Sequence, residues 1–552
     1  MVYDFVIVGA GSTGCVLANR LTEDPACKVL LLEAGGSAGF LSNIPGAYGT
    51  LHNSAIDWAF WTEPQTHVGN RKLFIPRGKA LGGCSTTNAM AYARGNQEDY
   101  NEWAALGNEG WSFQDILPYF IKSEHHEVFD GIYHSQEGPL HISFAKQPSR
   151  LSKQFVEACV EKAIPFNEDY NGEMQLGASL LQYTIRNNKR QSTATAFLRP
   201  AMRRPNLFIR TNALVKQILI ENGRAAGVEV LTGKGTEKIS CRKEVVVSAG
   251  AIKSPQLLLL SGIGDREILR QSGIEVKLDL PGVGHNLQDH VWTHVSNLSN
   301  IPTTNRDIRP FNQLKGMLQY LVFNKGPLCN SPIEANAFFK TSDEPGRPDI
   351  QLHFAPFYIG NDYRTNIYDI KTYPKENGFS ILTILLRPQS RGFVALRSNN
   401  PLDSPIIQPN FFEHENDKTT LLKGLKKTME LADATAFKIY SVAGLHHPAR
   451  HSPEEELLAH ISKSLETLYH PVGTCKMGKD EMAVVNDKLQ VHGLSGLRIM
   501  DASIMPTIVS GNTNAACIMI GEKGADLIKG SLDIRSRPSW TSTSQPTENA
   551  TN

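Results

Sequence analysis

Three glycines near the start of the chain stand at the spacing used for binding a dinucleotide. They are Gly9, Gly11 and Gly14, in a G-x-G-x-x-G arrangement. Glycine permits a tight turn and lets the backbone approach a pyrophosphate closely, while the N-terminus of a following helix attracts the negative charge. Glu33 lies nineteen residues after Gly14, where an acid can accept hydrogen bonds from ribose hydroxyls. The spacing therefore predicts a dinucleotide site.

The elements around these glycines complete the pattern. Tyr3 to Val8 is a β-branched and aromatic run that predicts a strand, residues 15–21 present a helical apolar face, and Lys28 to Leu32 predicts a second buried strand. Strand, turn, helix and strand in this order favour a βαβ unit over a flexible glycine loop. No arginine directly follows Glu33 to receive a 2′-phosphate, which disfavours NADP. This unit alone does not separate NAD from FAD.

A second glycine turn covers residues 77–88 and could also bring backbone donors close to a ligand. An ordinary surface loop is the equal alternative for this segment taken by itself. Further strands are predicted at residues 207–209, 215–220, 228–231 and 244–248. The Asn222-Gly223 turn indicates that some of them form a small antiparallel ribbon. The chain therefore returns to the nucleotide-binding sheet after a long excursion.

Residues 296–462 lack glycine turns and are rich in aromatic side chains such as Phe354, Phe357 and Tyr358. We interpret them as a substrate-facing domain inserted into the nucleotide-binding one, although core packing is the better explanation for any single ring. Residues 536–552 are polar and proline-containing, which predicts a disordered tail.

Composition excludes several classes of function. The 56 basic and 55 acidic residues give a net charge of +1, which offers no global field for nucleic acid or anionic lipid. No apolar run is long enough for a membrane span, and no signal peptide is recognisable, so we expect a cytoplasmic protein. The 8 cysteines form no C-x-x-C pair, and His446, His447 and His451 lack a completing acid or thiol, so no metal site is expected.

The chain resembles the glucose-methanol-choline (GMC) oxidoreductases, in particular their choline dehydrogenase and bacterial alcohol dehydrogenase branch. The resemblance covers residues 1 to about 530. Besides the N-terminal unit, the matching segments are residues 57–61, 77–88, 250–264, 281–290, 469–474 and 501–514. The implied fold class is α/β, with a Rossmann-like FAD-binding domain and an inserted α+β substrate domain built on an antiparallel sheet.

The resemblance implies how the chain divides between the two domains. The FAD-binding domain would comprise residues 1–145, 187–295 and 463–535. The substrate domain would comprise residues 146–186 and 296–462. The cofactor is then FAD rather than NAD. Some family members link the flavin to a histidine in the second glycine turn, but the matching residue here is Thr87, so we expect non-covalent FAD.

The resemblance also implies which residues hold the FAD. Ser12, Thr13 and Glu33 would bind the pyrophosphate and adenosine ribose, Val215 the adenine, and Asn88 would flank the flavin ring. The full set of expected FAD contacts is Gly9, Gly11, Ser12, Thr13, Gly14, Glu33, Ala34, Trp61, Arg77, Gly78, Gly83, Asn88, Ala89, Met90, Ala91, Val215, Ala249, Asp501, Ala502 and Thr513.

Oxidation of an alcohol needs a base for the hydroxyl proton while the carbinol carbon gives a hydride to flavin N5. A neutral imidazole suits this task near pH 7. His470 lies in the segment that matches the family's catalytic histidine motif, so the resemblance assigns it this role. Asn514 matches the second catalytic position, where an amide would hold the substrate oxygen. His285 and His290 are alternatives in a segment that we interpret as a structural loop.

The predicted reaction is FAD-dependent oxidation of a primary alcohol to an aldehyde, with electrons passed to a quinone or other carrier. An oxidase that reduces O₂ is the alternative, and a hydroxynitrile lyase, an NAD-dependent dehydrogenase and a scaffold role are weaker ones. Choline would require an aromatic cage with an acid such as Asp362 or Asp369. The sequence decides neither the alcohol nor peripheral membrane association.

Overall fold

The computed structural model describes residues 2–233, 235–343, 346–449 and 451–530, with backbone only for 443–446. The predicted tail at 536–552 lies outside the described residues. In chain order the strands are β1 Tyr3–Val8, β2 Val29–Leu32, β3 Phe60–Trp61, β4 Phe74–Ile75, β5 Glu124–His126, β6 Leu140–Phe144, β7 Gly177–Leu180, β8 Gln182–Tyr183, β9 Ile185–Arg186, β10 Lys189–Arg190, β11 Leu207–Arg210, β12 Val215–Glu221, β13 Arg224–Thr232, β14 Gly235–Val247, β15 Ile263–Gly264, β16 Leu278–Asp279, β17 His285–Leu287, β18 Val291–Ser299, β19 Ala335–Phe339, β20 Ile350–Ala355, β21 Gly378–Leu385, β22 Gly392–Ala395, β23 Ile406–Gln408, β24 Ser441–His447, β25 Glu466–Thr467 and β26 Leu497–Ile499.

The α-helices account for most of the remaining regular structure. They are α1 Ser12–Leu21, α2 Cys84–Thr87, α3 Gln97–Ala105, α4 Phe113–Ser123, α5 Arg150–Glu161, α6 Arg199–Ala201, α7 Gly250–Leu260, α8 Arg266–Gln271, α9 Thr304–Asp307, α10 Pro310–Phe323, α11 Glu415–Ala432, α12 Glu454–Ser464 and α13 Asn514–Lys529. In the part of the chain that is described, no helix combines the length and the apolarity that crossing a membrane requires.

The first large sheet is the predicted nucleotide-binding sheet. Its parallel part has the order β11-β2-β1-β14-β26. The strands β1 and β2 are almost entirely buried apolar runs, as expected for parallel strands covered on both faces. The long β14 continues from an antiparallel ribbon with β13 and β12, so the ribbon predicted at the Asn222-Gly223 turn is confirmed.

Helices α1 and α13 pack together beside this sheet. A Cβ on Gly521 of α13 would stand 2.8 Å from Val16 Cβ, and a Cβ on Gly524 would stand 2.6 Å from Met500 Sδ. At Gly521 a side chain would collide with α1, so glycine allows the close approach of the two helices, whereas at Gly524 the Met500 side chain would have to move. This packing joins the start and the end of the described chain.

The second large sheet is antiparallel throughout and has the order β24-β18-β21-β20-β19-β7, with β25 beside β18. Helices α5 and α11 cover it and enclose a second apolar core that includes Phe155, Phe354 and Leu421. The predicted combination of a Rossmann-like domain and an antiparallel substrate sheet is therefore confirmed. Strand β25 lies just beyond the predicted boundary at 462/463 but pairs within this second sheet.

Candidate active site

A cavity of about 380 Å³ lies where the two sheets meet. One wall comes from the turns that follow β1, β2 and β14, at the carboxyl ends of parallel strands, which is where ligands bind in open α/β sheets. The opposite wall includes Trp292 of β18, His353 of β20 and Leu382 of β21. The segment 501–514, after β26, lines the cavity between these two walls.

The two glycine turns predicted separately pack against each other at the cavity wall. Gly9 has φ +102°, and a Cβ there would stand 2.5 Å from Ser248 O. A Cβ on Gly83 would stand 2.8 Å from the Cα of Gly11. By contrast, Gly250 has φ +85° with no atom within 4 Å of a Cβ position. The glycines thus allow close backbone packing on one side and leave open space on the other.

Buried acids anchor the loops of this wall. The Glu33 carboxylate accepts hydrogen bonds from the backbone N–H of Ala10 and of Gly35, both at 2.9 Å. Asp501 accepts from Gly250 N at 2.9 Å and from Ser254 Oγ at 2.5 Å. Burial raises the pKa of both carboxyl groups despite these bonds. Each acid therefore fixes a glycine-containing turn while lining the cavity.

This wall fits the phosphate and ribose groups of a dinucleotide. Helix α1 begins at Ser12 without a side-chain cap, so N–H groups of its first turn are available to an anion. The hydroxyl of Ser248 is buried and makes no hydrogen bond in the described structure. The carboxylate of Glu33 stands at the same wall. Donors for phosphate and an acceptor for ribose are thus present together.

All but two of the residues predicted to contact FAD line the cavity. Gly14 is one of the two. A Cβ on Gly14 would stand 2.0 Å from Gly9 O, so this glycine allows α1 to pack closely on the turn. Trp61, which is 53% exposed, is not among the residues that line the cavity. Successive residues of a strand point to opposite faces, and in β3 it is Phe60 that lines the cavity.

The turn next to the expected flavin position has a left-handed residue. Met90 has φ +62°, which is unfavourable for a side chain of this size. The side-chain amide oxygen Oδ1 of Asn88 stabilises the turn. It accepts hydrogen bonds from Met90 N at 3.0 Å and from the buried Arg190 Nη1 at 2.8 Å. The structure therefore places Asn88 as a support of the turn 88–91.

His470 is partly buried and lines the cavity with a defined set of neighbours. Its Nδ1 lies 3.0 Å from His290 Nδ1, and its Nε2 lies 3.4 Å from Asn512 Nδ2. His290 Nε2 is in turn 2.9 Å from the backbone oxygen of Leu386. The preceding residue, Tyr469, accepts a hydrogen bond at its carbonyl from Arg77 of the second glycine turn.

This chain of contacts fixes the tautomer of His470. A backbone carbonyl only accepts hydrogen bonds, so the proton of neutral His290 is on Nε2 and its Nδ1 is an acceptor. His470 must then donate from its own Nδ1, which leaves the lone pair of His470 Nε2 facing Asn512. Burial lowers the pKa of His290 to about 4 and holds the pKa of His470 well below its usual value, with His290, Arg77 and His353 adding to the effect.

The amide beside His470 is Asn512 rather than the predicted Asn514. Asn514 is the first residue of α13, and its Oδ1 accepts a hydrogen bond from Ser12 Oγ at 2.7 Å. Asn512 Oδ1 is buried without a partner in the described structure. The two asparagines are two residues apart. Asn512 lies before the start of α13 and contacts His470, whereas Asn514 begins the helix and contacts Ser12 of the nucleotide turn.

Two further histidines were not assigned to the site by sequence. His290 was interpreted as part of a structural loop but contacts His470 directly. His353 of β20 lines the cavity, and its Nε2 is buried without a hydrogen bond among the described residues. Burial lowers the pKa of His353 to about 3. His290 lies at the end of the matching segment 281–290, whereas no motif marks His353, which reaches the site from strand β20 of the second sheet. The alternative candidate His285 does not line the cavity.

Much of the remaining wall around His470 is apolar, with tyrosine and histidine side chains among the lining residues. We call this region the substrate half, defined by Trp292, Ile308, Ile333, Phe357, Ile359, Ile367, Ile370, Leu382 and Leu468. The glycine-turn wall described above is called the nucleotide half. Among the described residues, Glu33 and Asp501 are the acids that line the cavity, and both belong to the nucleotide half. Asp362 and Asp369 are not part of the lining.

Family models match most of the chain. The N-terminal and C-terminal family models described as GMC oxidoreductase match residues 3–292 and 388–521. Alcohol dehydrogenase (acceptor) of Pseudomonas putida is 42% identical over 545 residues, covering 97% of both chains. Oxygen-dependent choline dehydrogenase of Brucella anthropi is 39% identical over 532 residues, covering 96% of this chain and 95% of that protein.

Solved structures are similar over nearly the whole length as well. Pyridoxine 4-oxidase from Mesorbium loti superposes with a TM-score of 0.87 at 29% identity, covering 96% of this chain and 99% of that one. A formate oxidase of Aspergillus oryzae RIB40 studied for FAD modification has a TM-score of 0.87 at 26% identity, covering 96% and 98%. The chain therefore belongs to the GMC oxidoreductase family and is an FAD-dependent oxidoreductase.

Proposed function

We propose that this protein oxidises a neutral, apolar primary alcohol to the aldehyde. The observation that carries the proposal is the series of contacts from Leu386 O through His290 to His470 Nδ1. These contacts leave the lone pair of His470 Nε2 free in a largely apolar pocket that continues into the nucleotide half. A partly buried imidazole whose tautomer is fixed needs no reorganisation before it accepts a proton. The relatives named as alcohol and choline dehydrogenases support the same class of reaction.

His470 Nε2 accepts the hydroxyl proton of the alcohol, and Asn512 Nδ2 holds the same oxygen by donating a hydrogen bond. When bound, FAD supplies the acceptor for the hydride that leaves the carbinol carbon. His290 accepts the hydrogen bond from His470 Nδ1 throughout and keeps the ring oriented. The apolar side chains of the substrate half exclude water, which strengthens these polar contacts.

The lining of the substrate half favours an uncharged substrate. A quaternary ammonium group needs an aromatic cage and gains from a nearby carboxylate. Aromatic rings are present, but the lining acids Glu33 and Asp501 are both committed to backbone N–H groups of the nucleotide half. Aliphatic or aryl alcohols suit an apolar wall without a counter-charge. We therefore place choline outside the preferred substrates of this enzyme.

Anaerobic reduction of the flavin tests this function directly. Purified holoenzyme is mixed with 1-octanol, benzyl alcohol or choline in a stopped-flow instrument, and the flavin absorbance is followed. We expect 1-octanol or benzyl alcohol to bleach the flavin at least tenfold faster than choline at equal concentration. Faster bleaching by choline would overturn the substrate class, and no bleaching by any alcohol would favour a lyase instead.

The electron acceptor and the mode of FAD attachment belong to the same proposal. We propose a dehydrogenase that passes electrons to a quinone or other carrier, with FAD bound non-covalently because Thr87 stands in the second glycine turn. Turnover should reduce an artificial dye faster than it forms hydrogen peroxide, whereas the reverse would indicate an oxidase. Acid precipitation should release the yellow cofactor into the supernatant, and flavin that pellets with the protein would contradict non-covalent binding.

A further inference from the structure

Helix α10 presents an apolar stripe to solvent. Phe311, Leu314, Leu318 and Leu321 are 78%, 63%, 54% and 57% exposed, and we call these four residues the α10 face. The buried positions of the helix are Gly316 and Tyr320. At 100° per residue the α10 face lies opposite that buried pair. A surface helix normally shows its polar side to water, so this helix has the reverse arrangement and its apolar face needs a partner.

The side of helix α10 opposite the α10 face packs against the rest of the protein. A Cβ on Gly316 would stand 3.5 Å from Pro327 Cγ, so the helix lies close against the turn that follows it. The hydroxyl of Tyr320 donates a hydrogen bond to Asn188 O at 3.1 Å. The segment before the helix, through Thr304 and Ile308, lines the active-site cavity. The chain segment that leads into helix α10 therefore forms part of the cavity wall.

The charges on helix α10 and directly beside it are mostly basic. The helix itself carries Lys315, Arg309 and Lys325 flank its two ends, and the nearest acids along the chain are Asp307 and Glu334. All three cations are exposed. An apolar stripe flanked by basic side chains is the pattern of helices that lie in the interface of a membrane. Pairing of two copies through this face would instead bring like charges together with no acid on the helix to compensate them.

We propose that the α10 face docks the enzyme onto an anionic phospholipid membrane. Phe311, Leu314, Leu318 and Leu321 enter the boundary between headgroups and acyl chains, and the flanking cations contact the headgroups. The exposed Val322 and Phe323, at 66% and 68%, extend the inserted surface at the end of the helix. The proposal concerns attachment alone and does not depend on which alcohol is oxidised.

Vesicle sedimentation tests the docking with holoenzyme. The probes are vesicles of phosphatidylcholine alone and of phosphatidylcholine with 30% phosphatidylglycerol, in low-salt buffer. We expect the wild type to bind the anionic vesicles, and the double variant Leu314→Glu, Leu318→Glu to bind at least tenfold more weakly. A matched control, Leu402→Glu with Met174→Glu, changes residues that are 70% and 63% exposed elsewhere and should bind like the wild type.

A charge variant and a measurement of oligomeric state complete the test. Lys315→Glu with Lys325→Glu should weaken binding to anionic vesicles severalfold and remove the preference over neutral ones. Retained flavin absorbance shows that each variant is folded. The proposal is overturned if the wild type binds neither vesicle, or if the Leu314→Glu, Leu318→Glu variant binds normally. It is also overturned if light scattering shows a wild-type dimer that this variant dissociates, because the face would then be a subunit interface.

Discussion

The two halves of the cavity are built by different means. The nucleotide half consists of backbone: glycine turns, a helix N-terminus and acids that bond to main-chain N–H groups. The substrate half consists of side chains that come from elements far apart in sequence, such as Trp292 of β18 and Leu382 of β21. A backbone turn that requires glycine can be recognised from the spacing of glycines in the sequence, whereas a pocket formed by side chains depends on the tertiary fold. The first half can therefore be recognised by motif and the second only by structure.

We expect the largest effect on FAD binding from the substitution Gly9→Ala, which adds a single methyl group in the nucleotide half. Gly9→Ala places a Cβ 2.5 Å from Ser248 O at a φ of +102°, so the turn must move. We expect no flavin-containing protein to be recovered. Gly39→Ala is the matched control, because Gly39 has φ +75° with open space around a Cβ. That variant should stay yellow, and loss of flavin from it as well would show that strain alone, not close packing, explains Gly9.

In the substrate half we expect the next largest effect at His290. His290→Leu removes the acceptor for His470 Nδ1–H, so the base loses its fixed tautomer, and the rate of flavin reduction should fall about 10²-fold. His290→Gln should recover at least a tenth of the wild-type rate, because its amide can accept from His470 and donate to Leu386 O. The KM for the alcohol should change little in both variants. Equal loss in the two variants would contradict the role of the tautomer.

Asn512 and Asn514 lie in one short segment, but we expect their substitution to affect different halves of the cavity. Asn512→Ala should lower the rate of flavin reduction about 10-fold or more without loss of FAD, since it removes a donor to the substrate oxygen. Asn514→Ala removes the acceptor of the Ser12 hydroxyl and should chiefly weaken FAD binding, as measured by titration of apoprotein. A slow Asn514→Ala enzyme with normal FAD affinity would restore the assignment made from sequence.

These positions also mark what sequence could and could not establish. The βαβ unit and the antiparallel ribbon follow from periodicity and glycine spacing, because each depends on residues close in the chain. Most of the expected cofactor contacts come instead from the family resemblance. The strand β26, Trp61 and the choice between Asn512 and Asn514 do not. Each of these depends on which face of an element turns inward, and on neighbours such as β14 or Ser12 that are hundreds of residues away.

The smallest effect is a pH dependence of stability at Asp289. Its Oδ1 accepts a hydrogen bond from His470 N at 2.7 Å, and burial raises its pKa to about 7. A raised folded-state pKa means that the protonated carboxyl is favoured, so its stabilising contribution is full below about pH 4 and is lost as pH rises to about 7. The Tm should therefore fall by several degrees between pH 5 and pH 8.

Asp289→Asn isolates this contribution, because the amide oxygen can still accept from His470 N while the side chain no longer ionises. We expect the fall in Tm across that pH range to be smaller in the variant than in the wild type, by differential scanning fluorimetry of both holoenzymes. Glu466, whose burial also raises its pKa to about 7, titrates in both proteins and cancels in the difference. Parallel profiles would assign the pH dependence to other groups.

The central claim is that His470 Nε2 takes the proton of the alcohol, and one stopped-flow comparison tests it most directly. Wild-type and His470→Ala holoenzymes are reduced anaerobically by the same alcohol, with flavin content matched by absorbance. We predict that the variant retains FAD and that its flavin is reduced at least 10²-fold more slowly. Reduction at the wild-type rate by a fully flavinated variant would contradict the account.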